Sequence, residues 1–350
     1  MAGTIYTIED TGRDREAWLS ARKNGIGASE VGVVMGVSPW GSRMALYADK
    51  RGTQLPDFDN PVTDFGLEFE PILLAHYAAA RGRRVRSDGR LLRSKRYPWL
   101  TCTMDARQWK LDGTFIGGVE AKTTIDDWGR DGLPMHVDLQ VQTQYLVTGW
   151  PVIDIAIFHR WSATHGHMVV PPHKETQEKI LHYTHEFWTQ HVKAGVPPSV
   201  DPSDSCRLAL QALYPQHEVG KIIELDEHAA RLVASLDVYE AELKLQTGNV
   251  NTVKNELRAM IQDAEYVKLP DGSGFANRLE TREAFVMSAS ETRVLRRLKN
   301  VDATIERRHK EALRLERKQA KEREAAAAAR ASATLQESSS QLSLIAGGRG

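Results

Sequence analysis

The chain has 350 residues, room for one large domain and an appendage, and 41% of them are hydrophobic, which supports a buried core. Lys plus Arg and Asp plus Glu both total 46, so net charge is zero and a nucleic-acid surface would require charges separated in space. Two cysteines are too few for a four-thiolate iron–sulfur centre; with no leader-like start and no apolar run near 18 residues, the reading is a soluble cytoplasmic protein with no membrane partner.

Periodicity and punctuation give the elements in order. Residues 14–23 and 29–35 read as helices, with Ser29 as an N-cap whose backbone amides suit a phosphate. The preceding Gly25-Ile26-Gly27 lacks the trailing Gly-Lys-Ser/Thr of a P-loop. Residues 42–50 read as a further helix, and 67–81 as a stronger one, with Leu73, Leu74 and Tyr77 on one stripe, Gly82 at its end and Glu70-Pro71 in its first turn. Residues 100–104 and 114–119 predict two neighbouring strands, closed as a hairpin around 110–113. A helix over 138–147 bounded by Gly149, strands over 152–158 and 167–170, and a covering helix over 175–192 follow.

Histidines cluster between His159 and His191; His165-Gly166-His167 reads as a hairpin turn and the others as surface groups rather than a metal site. Among the tryptophans, Trp40 and Trp128 sit in loop-like sequence and are the candidates for stacking in a substrate channel. A Pro-rich stretch at 195–202 predicts a boundary, dividing the chain into 1–200, 201–300 and 301–350. The second part has long helical periodicity over 224–264 and a hairpin around 271–274 within 266–287. The third reads as a basic, solvated helix with a disordered tail, electrostatic attraction to DNA or a partner protein being the other reading.

The chemistry concentrates in Asp105 and Glu120-Ala121-Lys122, fifteen residues apart. In a strand Glu120 and Lys122 share a face, and an Asp105 at the end of the partner strand would bring two carboxylates and an ammonium together. Hard oxygen ligands, completed by the Ala121 carbonyl, suit Mg²⁺ or Mn²⁺. Lys122 would orient or deprotonate a water and offset charge on a phosphate. The pattern alone is also met by solvated charges at a strand edge.

Flanking blocks extend the pattern: residues 22–30 (Arg-Lys-Asn-Gly-Ile-Gly-Ala-Ser-Glu), 65–71 (Phe-Gly-Leu-Glu-Phe-Glu-Pro), 97–100 (Tyr-Pro-Trp-Leu) and 139–142 (Leu-Gln-Val-Gln). In this order, over roughly residues 14–195, the chain resembles the YqaJ-like viral recombinases, a family that includes the lambda-type alkaline exonucleases of the PD-(D/E)xK superfamily. The resemblance implies an α/β restriction-endonuclease-like core, a mixed central sheet flanked by helices, with a small C-terminal helical and hairpin appendage.

By the same resemblance, Asp105 and Glu120 hold two Mg²⁺ ions, Glu70 lies near the second, Lys122 and Gln140 serve the nucleophile, and Arg22 and Ser29 hold a 5′-terminal phosphate. It implies a 5′→3′ double-strand DNA exonuclease of phage recombination that leaves 3′ single strands for a single-strand annealing protein, built as a ring-shaped homotrimer. An endonuclease on the same fold and a non-catalytic DNA-end-binding module are the alternatives. One departure stands out: Met104-Asp105-Ala106 replaces the family's usual Pro-Asp-Gly, removing a turn-favouring glycine.

Overall fold

A computed structural model describes residues 5–9, 14–56, 61–216, 218, 221–271, 273–276, 303–304 and 306–323. The chain divides into two units, Met1–Pro215 and Gln216–Gly350. The first unit begins with β1 (Tyr6–Ile8) and α1 (Arg15–Lys23), whose N-cap Asp14 accepts from the amides of Glu16 and Ala17. β2 (Ile26–Gly27) leads through a tight turn at Ala28–Glu30 into α2 (Val31–Val34) and α3 (Arg43–Lys50), the latter capped by Ser42. Then come α4 (Pro61–Arg81), β3 (Arg84–Ser87), β4 (Leu91–Ser94), β5 (Leu100–Thr103), β6 (Ala106–Trp109) and β7 (Phe115–Thr124). The short α5 (Trp128–Asp131), α6 (Met135–Thr148), β8 (Val152–His159), β9 (Thr164–Val170), α7 (Lys174–Glu186) and α8 (Asp204–Leu213) complete it.

These strands make two mixed sheets, ordered β1-β4-β5-β2 and β3-β6-β7-β8-β9. Each contains one parallel pair, β2 with β5 and β7 with β8. β8 explains the layering. Its Ile153, Ile155 and Ile157 join the main core with Val137, Val141 and Tyr145 of α6, while Ala156 and Phe158 face Leu73, Leu74 and Tyr77 of α4. A strand covered on both faces reads as a nearly continuous apolar run. The five-stranded sheet therefore has α6 on one side and α4 on the other.

Several expectations need correction. Residues 100–104 do not form the hairpin with 114–119: β5 belongs to the other sheet, and β6 pairs with β7 across the turn at 110–113. α4 begins six residues earlier than expected and contains Pro71 in its interior, so Glu70 lies mid-helix rather than in a first turn. Pro71 and Leu67 are exposed, so water can satisfy the carbonyl left without its i+4 donor. His165 and His167 lie within β9. Trp128 is buried in the main core and offers no stacking face, whereas Trp40 is 81% exposed. The first unit also runs past residue 200, because Cys206 and Ala209 of α8 are fully buried against the same core.

The second unit has a 35-residue helix, α9 (Glu227–Ile261), followed by the hairpin of β10 (Tyr266–Lys268) and β11 (Gly274–Ala276). Residues 306–323 are helical. The rest of the expected hairpin, 277–287, and the tail, 324–350, lie outside the described residues. No described helix is long and apolar enough to cross a membrane.

Candidate active site

Asp105 occupies the single residue between β5 and β6, where the chain passes from one sheet to the other. Its position is fixed by the 88–89 turn, where the Asp88 amide donates to the Asp105 carbonyl (2.9 Å) and the Gly89 amide to the Met104 carbonyl (3.0 Å). Arg107 donates to Asp88 at 2.6 Å and ties that turn to β6. Ala106 has no positive φ, so the backbone here does not require glycine, and the departure from Pro-Asp-Gly leaves the local shape intact.

The ladder between β6 and β7 ends at the Ala106–Val119 pair. One step further, the Ala121 amide donates to the Asp105 carboxylate at 2.7 Å. A strand residue's N–H and C=O point to the same side, so the Ala121 carbonyl also opens toward Asp105. Glu120 is 3% exposed and both its carboxylate oxygens are engaged. Oε1 accepts from Lys122 (2.8 Å) and Gln140 (2.5 Å), and Oε2 from Gln144 (2.6 Å). Gln140 and Gln144 are one turn apart on α6 and meet the same carboxylate from one helix face.

The charges report on one another. Burial and then the Glu120 carboxylate, with Glu70 adding, push the Asp105 carboxyl well above the usual carboxylate range; Lys122 and the Ala121 amide offset this only in part. Burial and then Glu120 raise Glu70, which brings that α4 residue within electrostatic reach of the β7 group. Burial alone would lower the Lys122 ammonium, but Glu120 and Asp105 outweigh it and hold it above the ordinary lysine value. Burial and then the Lys122 charge lower His136, placing that imidazole at the same rim, one turn before Gln140. Three carboxylates thus share one ammonium, an excess of negative charge on hard oxygen donors that fits a divalent cation. Among the described residues no three His, Cys, Asp or Glu side chains form a metal cage by themselves, so backbone carbonyl and water must share any coordination shell.

Arg22 and Ser29 lie on the segment around β2. Ile26 and Gly27 pair in parallel with Leu100 and Thr101 of β5, the strand that leads to Asp105, and the 28–30 turn packs on α6. Ser29 is not an N-cap: it sits inside the turn, and it is Glu30 that reaches back to the Gly27 amide (2.7 Å). Glu30 also accepts from Arg22 (2.9 Å) and from the buried Lys50 (2.7 Å). Burial raises the Glu30 carboxyl, yet Lys50 and Arg22 together hold it below its ordinary value. Arg22 lies over the Trp18 ring at 4.8 Å, which fixes its direction while leaving further donors on the guanidinium.

Of the sequence-assigned residues, the structure brings Asp105, Glu120, Ala121, Lys122, Gln140 and Glu70 together, and places Arg22 and Ser29 on an adjoining segment. Sequence reasoning missed Gln144, although its four-residue spacing from Gln140 was a visible signal. It also missed the Glu30–Lys50 pair behind Arg22, which had none.

Comparison with known proteins follows the same outline. The curated protein YqaJ of Bacillus subtilis (strain 168), itself uncharacterized, is 26% identical over 266 residues, covering 72% of this chain and 80% of its own length. Among solved structures, the chain is similar to the alkaline exonuclease LHK-Exo of Laribacter hongkongensis, at 20% identity and a TM-score of 0.43, over 52% of this chain and 94% of that one. A phage-related exonuclease from Haemophilus somnus 129PT aligns at 11% identity and a TM-score of 0.33, over 51% of this chain and 99% of that one. Residues 17–151, which include every residue assigned to the site, match the family model of the YqaJ-like viral recombinase domain, and this chain carries that domain.

Proposed function

We propose that the protein is a metal-dependent deoxyribonuclease acting 5′→3′ on double-stranded DNA ends and leaving 3′ single strands. The observation that carries this reading is the convergence of Asp105, Glu120 and Lys122 at the point where β6 and β7 part, with Gln140 bonded to the same carboxylate.

Asp105, Glu120 and the Ala121 carbonyl would hold Mg²⁺, with Glu70 toward a second ion; Mn²⁺ suits the same donors. When bound, the two ions would lower the pKa of a water and stabilise the leaving 3′ oxygen. Lys122, held protonated by its acidic neighbours, is suited to orienting the nucleophile and offsetting phosphate charge rather than to removing a proton. Gln140 and Gln144 fix the Glu120 carboxylate in one orientation. Arg22, braced by Glu30 and Trp18, would receive a terminal 5′ phosphate through its remaining donors, with the exposed Ser29 hydroxyl beside it. A ring-shaped homotrimer and delivery of the 3′ strand to a phage-type annealing protein belong to the same proposal.

Digestion of linear duplexes bearing 5′-phosphate or 5′-hydroxyl ends, against a closed circle, with Mg²⁺ present, tests the reading. Loss of nucleotides from the 5′ ends with an intact circle is the expected result. Nicking of the circle replaces it with an endonuclease, and no digestion of any substrate leaves an end-binding module.

A further inference from the structure

α9 buries none of its side chains within its own chain, although its apolar residues are regularly placed. Ala229, Leu236, Leu243, Val250 and Leu257 are seven apart; three residues after each come Leu232, Tyr239, Gln246, Val253 and Met260. This is a heptad repeat with both core positions filled over nearly five heptads. An α-helix of 3.6 residues per turn drifts about 20° per heptad, so a strict seven-residue stripe is straight only for a partner it coils around. The stripe faces solvent here, with Leu232 58%, Leu243 68% and Met260 81% exposed.

We infer that α9 is a self-association helix that pairs, parallel and in register, with α9 of a second copy of this chain. Three observations select that occupant. The first is size: eight large apolar side chains, each covering roughly 60–120 Å², bury on the order of 1,400 Å² in a pair of helices, as much as a specific protein interface requires.

The second is Gln246, which interrupts the stripe at its centre. In parallel register it meets Gln246 of the second copy, and the two amides satisfy each other. In the antiparallel alignment that matches the same layers it meets Leu243, leaving a buried amide unpaired. The flanking positions agree with parallel pairing, since Ser235 then faces Glu240, Glu242 faces Thr247 and Asn249 faces Lys254 of the second copy, with no like charges opposed.

The third is the lack of a competitor among the described residues. Helical residues 306–323 are dominated by charged side chains, and their exposed Leu313 and Leu315 are two apart, so they cannot line one helix face.

Cysteine cross-linking in the full chain tests this directly, and the native Cys102 and Cys206 are buried and give little background. Leu236→Cys should oxidise to a covalent dimer at least tenfold faster than Lys244→Cys, which lies on the outer face. Adding Leu243→Asp and Leu257→Asp to Leu236→Cys should abolish the dimer. Failure of Leu236→Cys to cross-link, as when another segment of the same chain covers the stripe, overturns the inference. So does cross-linking that survives the two aspartates. Dimers formed only between Leu236→Cys and Val253→Cys chains overturn the parallel register. Nuclease activity does not enter any of these readouts, so the result stands apart from the proposed function.

Discussion

Replacing Lys122 by methionine keeps an apolar stem of similar length and removes only the ammonium, so it separates charge from packing. That ammonium donates to Glu120 at 2.8 Å with 28% of the side chain exposed, and Asp105 and Glu70 sense it as well. Breaking one side of a fully buried pair costs about 3–5 kcal/mol. Partial exposure, and relief by protonation of a carboxyl, reduce that to about 1–2 kcal/mol in the metal-free protein. For a unit of this size the loss is roughly 3–6 °C in Tm. Because the folded-state value of Lys122 is raised, its stabilisation is fully present at neutral pH and is lost only as pH rises through that elevated value. The Tm difference should therefore persist through neutral pH and shrink in strong alkali.

Catalysis should suffer more than stability. Losing one preorganised charge donor costs about 10²–10³ in rate, read by single-turnover digestion of a 5′-phosphorylated duplex. Mg²⁺ affinity, measured by calorimetry, should hold or rise, because a competing cation has left the acidic cluster. A variant with normal turnover, or one that loses Mg²⁺ binding, refutes the assignment of Lys122 as a cation acting on water and phosphate.

Asp105→Ala or Glu120→Ala should each abolish cleavage while DNA-end binding, followed by fluorescence anisotropy, stays within a few-fold of wild type. Because Asp105 is raised, the folded metal-free protein retains a proton there at a pH where the unfolded chain does not, and that stabilisation is lost as pH rises through the elevated value. Mg²⁺ binding should consequently release a proton, seen as a buffer-dependent calorimetric heat that Asp105→Asn removes; a heat independent of buffer contradicts the shift. Arg22→Ala should slow digestion of 5′-phosphorylated ends far more than of 5′-hydroxyl ends, and equal loss on both would assign Arg22 to the fold. Gly117→Ala should cost more than 3 kcal/mol in urea unfolding. Its φ is +154° and an added Cβ would stand 1.8 Å from the Val152 carbonyl oxygen, so wild-type stability would mean that β7 and β8 are farther apart than described.

The helices were legible because their signals are local: Asp14 and Ser42 cap as their residue types dictate, and Gly149 ends α6 with φ +63°. β8 was legible for the same reason, as an apolar run between Gly149 and a polar loop. What failed was pairing. Nothing in residues 100–104 shows that they bond to β4 and β2 instead of β7, because that choice is made by Ile26 and Gly27, more than seventy residues away. Pro71 misled for the opposite reason: a strong local rule yielded to the apolar stripe of Leu73, Leu74 and Tyr77, which extends α4 across it.

The site was nevertheless found from sequence, and its geometry explains why. Asp105 needs no partner strand of its own, since its carboxylate takes the Ala121 amide at the position where β6 stops supplying carbonyls. The acidic pair is the last rung of a local hairpin, continued by a side chain in place of a strand. A fifteen-residue spacing is what that hairpin and its turn require, so the spacing survives in the linear sequence. Gln140 and Gln144 close the arrangement from α6, and their contribution depends on a helix crossing over β7 that no local pattern encodes. Ligand spacing was therefore readable, whereas the groups that orient Glu120 emerge only once both faces of the sheet are covered.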